Sequence, residues 1–527
     1  MALKGLAKAI IVITTVTAAV MELVDTTIVN VALSDMAGGL GVNIEDISWV
    51  ITAYAIANVI IIPLTGFLAD YFGRKNYYLV SMIIFTVASY LCGQSSSLTE
   101  IIVWRFVQGI GGGALLSTSQ AILFDAFEPK DRPIAAGLFG MGLVLGPTLG
   151  PTLGGYIIEH LSWQMIFMIN IPIGIVATIL TFYFVDKKPG EGKNKSSISI
   201  DYIGIIFLIV GVGFLQYVLE RGEAEDWFSS SLIRWCSLLA TIGIVGFIYT
   251  ELTVEKPAVK LALLGNRNLG FTTIFTCVAG LGLYTSVFVY PVLTQRVLGF
   301  TAYETGLSLL APTLVAVIMM PVIGKMMSKG LSAIPLVISG FILFASYSWM
   351  SASVSPDVGR GDFFFPLAVR ALGISLVQLP LINQAVVGLA QKDYAGGIAL
   401  NNMIRQLGGA FGIALANNYI AKQYAQHRTN LVSKLNDGAA AFVQQKNAIT
   451  QCIINKTGDN IDVASTKALA IINQSVERQS YYLSYLDTFR LITIFFIAVI
   501  PLVVFLRTKK KSAEEIATSM KAATEAH

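Results

Sequence analysis

Long apolar stretches separated by short polar turns dominate the chain. A helix needs about 20 apolar residues to cross a hydrocarbon core about 30 Å thick. Fourteen stretches meet that need, at roughly 9–33, 47–69, 78–96, 99–124, 133–158, 164–185, 201–220, 229–252, 268–293, 303–327, 332–352, 363–389, 395–420 and 488–507. The pattern predicts an all-α integral membrane protein with fourteen transmembrane helices. Lys4 and Lys8 precede the first stretch, as in a signal peptide, but Glu22 and Asp25 interrupt the region where cleavage would fall. We therefore read it as a retained first span.

Composition agrees with this pattern. The 527 residues are 55% hydrophobic and 13% charged, against about 25% charged for a soluble domain. That excludes a soluble enzyme, a nucleic-acid binder and a disordered scaffold. The net charge of +4 is small, and its placement is more informative. With the N-terminus inside, twenty Lys and Arg fall on the cytoplasmic side. They include Lys4, Lys8, Arg74, Lys75, Lys130, Arg132, Lys187, Lys188, Lys193, Lys195, Lys392 and Arg507. The short outer loops hold four: Arg221, Arg234, Arg296 and Arg360. Twenty against four places both termini in the cytoplasm and supports an even number of spans. Residues 421–487 lie outside with seven Lys or Arg, but loops longer than about 60 residues escape the charge rule.

The polar run DKKPGEGKNKSS at 186–197 closes a first group of six spans. Two further spans follow, and EKPAVKLALLGNRN at 255–268 leads into the last six. The organisation is thus six plus two plus six: a first half at 1–186, two linking spans at 187–265, a second half at 266–507 and a cytoplasmic tail at 508–527. A weak internal echo supports duplication, with Pro63-x-x-Gly66 ending the second span and Pro321-x-x-Gly324 ending the tenth. The outer segment 421–487 has helical spacing at Leu431/Leu435, Phe442/Ile449/Ile453 and Leu469/Ile472/Val476. Breaks at 436–438 and 455–458 divide it, so it reads as short amphipathic helices outside the membrane.

Candidate chemistry starts in the first span, MELVDTTIVN. Glu22 and Asp25 are three residues apart and share a helix face. A carboxylate in mid-membrane costs at least about 2.5–3.5 kcal/mol, so a functional role is the default. Arg105 in the fourth span keeps its proton under all ordinary conditions and must be solvated or paired. Both Asp25 and Arg105 fall in the outer half, so they are expected to pair directly or through water. Gln108 lies one turn deeper. Gly109-Ile-Gly111-Gly-Gly-Ala114 matches a dinucleotide fingerprint by letter, but it lies inside an apolar helix and follows no strand. Close helix packing explains these glycines.

The fifth span repeats glycine every four residues, at Gly142, Gly146, Gly150 and Gly154, with Pro147 and Pro151 removing two backbone hydrogen bonds. A smooth, bendable face results. Between the second and third spans, GFLADYFGRK brings Asp70, Gly73 and Arg74 together, and Asp125 ends the fourth span on the same side as a candidate partner of Arg74. Arg370 and Arg405 are intramembrane cations that either meet an anionic substrate or pair with polar groups such as Asn383 or Asn401. The four cysteines and three histidines are scattered, with no metal-ligand spacing. No GxxxxGK[ST] string is present, which leaves no support for ATP-driven transport by this chain alone.

Together, LVDTTIVNVAL (23–33), GFLADYFGRK (66–75), RFVQGIGGGAL (105–115), the Gly/Pro run of the fifth span, SWQMIFMINIPIG (162–174) and RQLGGAFG (405–412) resemble the major facilitator superfamily. More specifically they resemble its fourteen-span drug:proton antiporters of the EmrB type. The resemblance covers nearly the whole chain. It implies the major facilitator fold in two pseudo-symmetric halves, and a proton-coupled exporter of amphipathic drugs in the inner membrane of the cell, not an enzyme. It implies no cofactor beyond the proton gradient. The implied partners are small molecules, protons and lipid, a periplasmic adaptor of the EmrA type and an outer-membrane channel, with no nucleic acid.

Residue by residue, the resemblance assigns proton coupling to Asp25 with Arg105 as its partner and Glu22 nearby, and a cytoplasmic latch to Asp70, Gly73, Arg74 and Asp125. It places the interface between the halves at Gly142, Gly146, Pro147, Gly150, Pro151 and Gly154. Gln108, Arg370, Asn383 and Arg405 are candidates for the substrate cavity. The segment after the first span reads ALSD, where the family usually has Pro in place of Ser34. An exporter of a dedicated metabolite, such as a siderophore or a lipid, is the alternative on this scaffold. A receptor or assembly scaffold acting through the outer loop is a rival of another class.

Overall fold

The computed structural model describes residues 2–186, 201–356, 358–390, 393–435 and 440–506. The linker run, Lys392, the break at 436–438 and the tail at 508–527 lie wholly or nearly wholly outside the described residues. Fifteen helices carry the architecture: α1 (Ala2–Leu40), α2 (Trp49–Phe72), α3 (Arg74–Gln94), α4 (Leu98–Asp125), α5 (Arg132–His160), α6 (Asn170–Phe184), α7 (Tyr202–Arg221), α8 (Ser231–Thr253), α9 (Arg267–Arg296), α10 (Ala302–Ser328), α11 (Ala333–Ser351), α12 (Phe364–Gln384), α13 (Tyr394–Val432), α14 (Ala440–Thr457) and α15 (Ile461–Val499). No strand occurs among the described residues.

Among the described residues, thirteen helices are long and apolar enough to cross a membrane. The fourteenth is α13, which is long enough but diluted by Asn401, Asn402, Arg405, Gln406, Asn417 and Asn418. Its packing against α2, α9 and α15 places it in the bundle. With α13 the count of helices able to cross a membrane reaches fourteen among the described residues.

The helices begin and end where local chemistry directs. Ser97 caps α4 by accepting from Glu100 N–H, and Asn266 caps α9. Thr301 and Glu304 form a reciprocal capping box on α10. Gly73, at φ 82°, ends α2 and starts α3 with no intervening loop, a conformation that glycine adopts without steric cost. Apolar side chains such as Trp235, Ile242, Val245 and Tyr249 on α8 point outward, as lipid contact requires.

The first six helices pack with α5 against α1, α4 against α2 and α3, and α6 against α1 and α3. Among the last ones, α9 packs on α13, α10 on α12, α11 on α12 and α15 on α13. The α7–α8 pair touches the bundle mainly through α2. The longest contact between the two groups is α5 against α10. One end of the bundle, here the basic face, carries the start of α1 together with Arg74, Asp125 and Arg132. The other is the far face.

The outer segment differs from expectation. It is not a set of separate short helices, because α13 runs unbroken to Val432 and α15 runs unbroken from Ile461 into the last span. Neither stretch contains Gly or Pro between 413–435 or 461–499 to stop a helix. Tyr424 stacks on Tyr481 at 4.2 Å, and His427 meets Asp487 at 2.8 Å, which ties the two extensions together. Only α14 is a separate helix, packed on α15. The second expected break holds: Gly458, at φ 69°, turns the chain. Beside it, bonds from Lys467 and Thr457 hold the Asp459 carboxyl below its usual range.

Candidate functional site

Asp25 is fully buried in the first group of helices and accepts three hydrogen bonds. Arg105 Nη1 of α4 donates at 2.5 Å, Gln108 Nε2 of the same helix at 2.9 Å, and Asn170 Nδ2 of α6 at 2.8 Å. Arg105 also donates to Val50 O at 3.2 Å and Gln108 Oε1 at 2.7 Å, and lies 4.2 Å from the Tyr54 ring centroid. Ser89 Oγ of α3 accepts from Gln108 at 2.6 Å and from Asn170 at 3.3 Å. Five helices thus converge on one carboxylate. Arg105 is 1% exposed and Asp25 is 0% exposed, so the pair stands out of solvent. An ionised carboxylate only accepts hydrogen bonds, whereas a protonated one also donates. Protonation of Asp25 would remove the negative charge that faces Arg105.

Glu22 lies one turn nearer the basic face and turns to different partners. Asn58 Nδ2 donates to it at 3.0 Å and Tyr54 Oη at 3.4 Å, while Glu22 Oε2 has no hydrogen-bond partner. Arg405 of α13 lies within electrostatic reach of it, and Tyr284 of α9 within reach of both. Arg405 lines a small cavity with Thr276, Gln378, Asn401 and Asn402. Among the described residues, Arg405 Nε and Nη2, Gln378 Nε2, Asn401 Oδ1 and Thr276 Oγ1 have no hydrogen-bond partners. Beside the cavity, Asn402 reaches α4, donating to Ser117 at 3.1 Å and Gln120 at 3.4 Å.

At the basic face, Arg74 at the start of α3 pairs with Asp125 at the end of α4, and exposed Asp70 lies in the last turn of α2. Arg132 at the start of α5 donates to Tyr394 Oη at the start of α13 at 2.6 Å, with its guanidinium 4.7 Å from the ring centroid. A Cβ on Gly66 would sit 2.9 Å from Gly396 Cα on α13, and one on Gly324 would sit 2.5 Å from Pro133 O on α5. Both glycines of the internal echo therefore mark backbone contacts between the first and last groups of helices.

The glycine stripe of α5 requires a correction. Gly142, Gly146, Gly150 and Gly154 face Val20, Leu23, Thr27 and Ile28 of α1, inside the first group, and not the opposite group. The contact with α10 uses Gly137, Gly140, Thr148 and Thr152. The first two sit on Met320, Thr313 donates to Thr148 at 3.1 Å, and Gly306 packs on Thr152. Positions 148 and 152 follow 146 and 150 by two residues, about 200° around a helix, and so point to the opposite side. The accompanying Pro147 and Pro151 are buried within α5.

Sequence reasoning grouped Gln108, Arg370, Asn383 and Arg405. The structure places Gln108 on Asp25, Arg405 in the cavity, Arg370 toward the far face beside Ser286, and Asn383 half-buried at the last turn of α12. Asn170, Ser89, Tyr54 and Asn58 were missed as site residues. Asn170 had a signal, as an amide within the apolar run MIFMINIPIG.

A sequence model of the family described as Major Facilitator Superfamily matches residues 15–413. The multidrug export protein EmrB of Haemophilus influenzae is 30% identical over 92% of this chain and 93% of its own length. The protein of the same name from Escherichia coli K12 is 32% identical over 82% and 84%. The fatty acid resistance protein FarB of Neisseria gonorrhoeae is 30% identical over 95% and 96%. The solved structure of the human organic anion transporter MFSD10 (TETRAN) covers 93% of this chain at a TM-score of 0.56 and 16% identity, a likeness of fold.

Proposed function

Because this chain belongs to the major facilitator superfamily, and within it to the EmrB-like multidrug exporters, we infer that it is a multidrug efflux transporter driven by protons through alternating access. The observation that carries the coupling is the buried Asp25–Arg105 pair. In this reading the basic face is cytoplasmic, as the excess of Lys and Arg supports, and the membrane is the inner membrane. The two halves are 1–186 and 266–507, with residues 187–265 linking them.

An amphipathic substrate enters between the halves and meets the polar groups around Arg405, Gln378 and Glu22. The cytoplasmic contacts Arg74–Asp125, Arg132–Tyr394 and Gly66–Gly396 close beneath it. Substrate leaves from the far side. A proton from outside then enters Asp25, loosens Arg105 and permits the return. The α13–α14–α15 extension stands on the periplasmic side, where an adaptor that leads to an outer-membrane channel docks. One proton gains about 2.3 kcal/mol per 100 mV, enough to drive uphill export. The test is dye efflux in proteoliposomes under an imposed pH gradient. Accumulation against a gradient, abolished by a protonophore, is expected. Export that continues unchanged after the gradient collapses overturns the coupling.

A further inference from the structure

Two buried carboxylates far from Asp25 face each other where α7 and α8 reach the basic face. Asp201 caps α7, and its Oδ1 accepts from Gly204 N–H at 2.9 Å. Glu251 lies in the last turn of α8, and its Oε2 accepts from Val259 N–H at 3.0 Å. The two acids are 8% and 2% exposed. The second oxygen of each, Asp201 Oδ2 and Glu251 Oε1, is buried without a hydrogen-bond partner among the described residues. Both oxygens converge on one glycine. A Cβ on Gly204 would collide with Asp201 Oδ2 and lie 2.9 Å from Glu251 Oε1.

Val259 belongs to a strap, residues 254–266, that leads from α8 to α9. Ala258 and Val259 are buried in one apolar cluster with Ile62 of α2, Leu208 of α7, Phe247 of α8 and Leu400 of α13. Leu263 Cδ1 lies 3.4 Å from where a Cβ on Gly396 would sit, and Gly396 is the residue that Gly66 meets. The strap thus covers the contact through which α2 and α13 close the basic face. Lys260 fastens it to Asp393 beside the start of α13 at 2.8 Å, and Glu251 fastens it to α8. Two anions held out of water with no cation between them repel, and each disfavours the charge on the other. One proton shared by Asp201 Oδ2 and Glu251 Oε1 satisfies both oxygens, since the protonated acid donates and the other accepts. Asp201 is fixed in the first turn of its own helix, whereas Glu251 holds non-helical backbone. When both ionise, Glu251 is the group that turns away, and its hold on Val259 goes with it.

We propose that Asp201 and Glu251 bind one proton between them from the basic side, and that this proton keeps the strap docked over the α2–α13 contact. Asp201 is the charged group within electrostatic reach of Glu251. Lys260 is committed to Asp393, while Glu255 and Lys256 on the strap, Asp70 on α2, Arg267 on α9, Tyr202 on α7 and Tyr249 on α8 are exposed. The site is therefore a switch that reads the pH on that side of the membrane. It does not depend on the substrate, on the direction of transport or on the role of Asp25.

The experiment is hydrogen–deuterium exchange of the full-length protein in detergent across a pH series, with each rate corrected for the intrinsic effect of pH. Peptides spanning 256–263 should be protected at acid pH. At alkaline pH they should exchange about tenfold faster or more, the loss of one hydrogen bond to an ionisable group. Glu251→Gln offers a carbonyl to Val259 and an NH2 group to Asp201, so the strap should stay protected at both ends of the series. Should that variant fail to fold, Asp201→Asn supplies the same missing donor and is expected to behave alike. Wild-type protection that does not change with pH overturns the proposal, as does a wild-type pH response in the folded variant. A parallel titration with sodium against choline at fixed pH separates proton from metal. Protection by sodium and not by acid also overturns the proposal, and assigns the pair to a metal cation.

Discussion

Asp25→Asn removes the charge at the site while keeping its shape. The carboxylate offers two oxygens to three donors, Arg105, Gln108 and Asn170. An asparagine offers one oxygen and adds an NH2 group, so at least one contact becomes donor against donor. Removing one partner of a buried ion pair costs about 3–5 kcal/mol. Arg105 keeps the Val50 and Gln108 carbonyls at 3.2 and 2.7 Å, which points to the lower end of that range. The double variant with Arg105→Gln should recover part of the loss, since the two positions act as one unit. Transport separates coupling from folding. With one proton per cycle, a pH difference of one unit is worth about 1.4 kcal/mol, or a tenfold substrate gradient. The assay is substrate accumulation in proteoliposomes at that pH difference. Wild type should approach tenfold, while Asp25→Asn and the double variant should equilibrate substrate to a ratio of one. If Asp25→Asn still builds the wild-type gradient, Asp25 does not carry the proton.

Gly150→Val should weaken pumping, because a Cβ there would overlap the Thr27 hydroxyl and lie 2.9 Å from Thr27 Cβ. Overpacking of this kind costs about 1–3 kcal/mol, while Gly38→Ala, with nothing within 4 Å, serves as the silent control; wild-type efflux by Gly150→Val would refute a role for that contact. Asp125→Asn or Arg74→Gln should each slow turnover with little effect on equilibrium dye binding, and the exchange Arg74→Asp with Asp125→Arg should restore part of it through a coupling of about 0.5–3 kcal/mol. Turnover that is the same in all of these variants removes the latch.

The sequence revealed the Asp25–Arg105 pair because register within each span sets depth, and matching depths leave a buried carboxylate and a buried guanidinium few other partners. It did not reveal that α6 stands beside α1. The third donor, Asn170, was therefore visible as an amide in an apolar run but could not be assigned to Asp25. The glycine stripe shows the limit most directly. Spacing establishes that one face of α5 is bare backbone, but not which helix fills it, and the bare face turned out to hold α1. The echo of Gly66 and Gly324 went the other way. Two common residues, weak as a motif, both mark close backbone approaches between helix groups. The α13 and α15 extensions were misjudged because the outer segment was bounded where the apolar runs end, whereas both helices run on through polar sequence that holds no Gly or Pro.

The corrected place of the stripe changes how coupling is conveyed. If the stripe lay between the helix groups, a rocking motion would slide along it and Asp25 would feel little. It holds α1 instead, with Leu23 and Thr27 seated on either side of Asp25 along the helix. Meanwhile the reverse face of α5 carries Met320 and Thr313 of α10. Movement at the α5–α10 contact therefore reaches α1 directly, and Pro147 and Pro151 remove the hydrogen bonds that would resist bending in between. A second connection runs along α4. Arg105 holds Asp25 at one level, and Ser117 and Gln120, about 18 Å or more further along the same helix, hold Asn402 beside Arg405. In the proposed cycle, protonating Asp25 frees Arg105 from its anion, and the helix released is the one whose Ser117 and Gln120 hold Asn402 of α13. In that proposed cycle proton and substrate act on α4 from its two ends, so neither need touch the other's binding site.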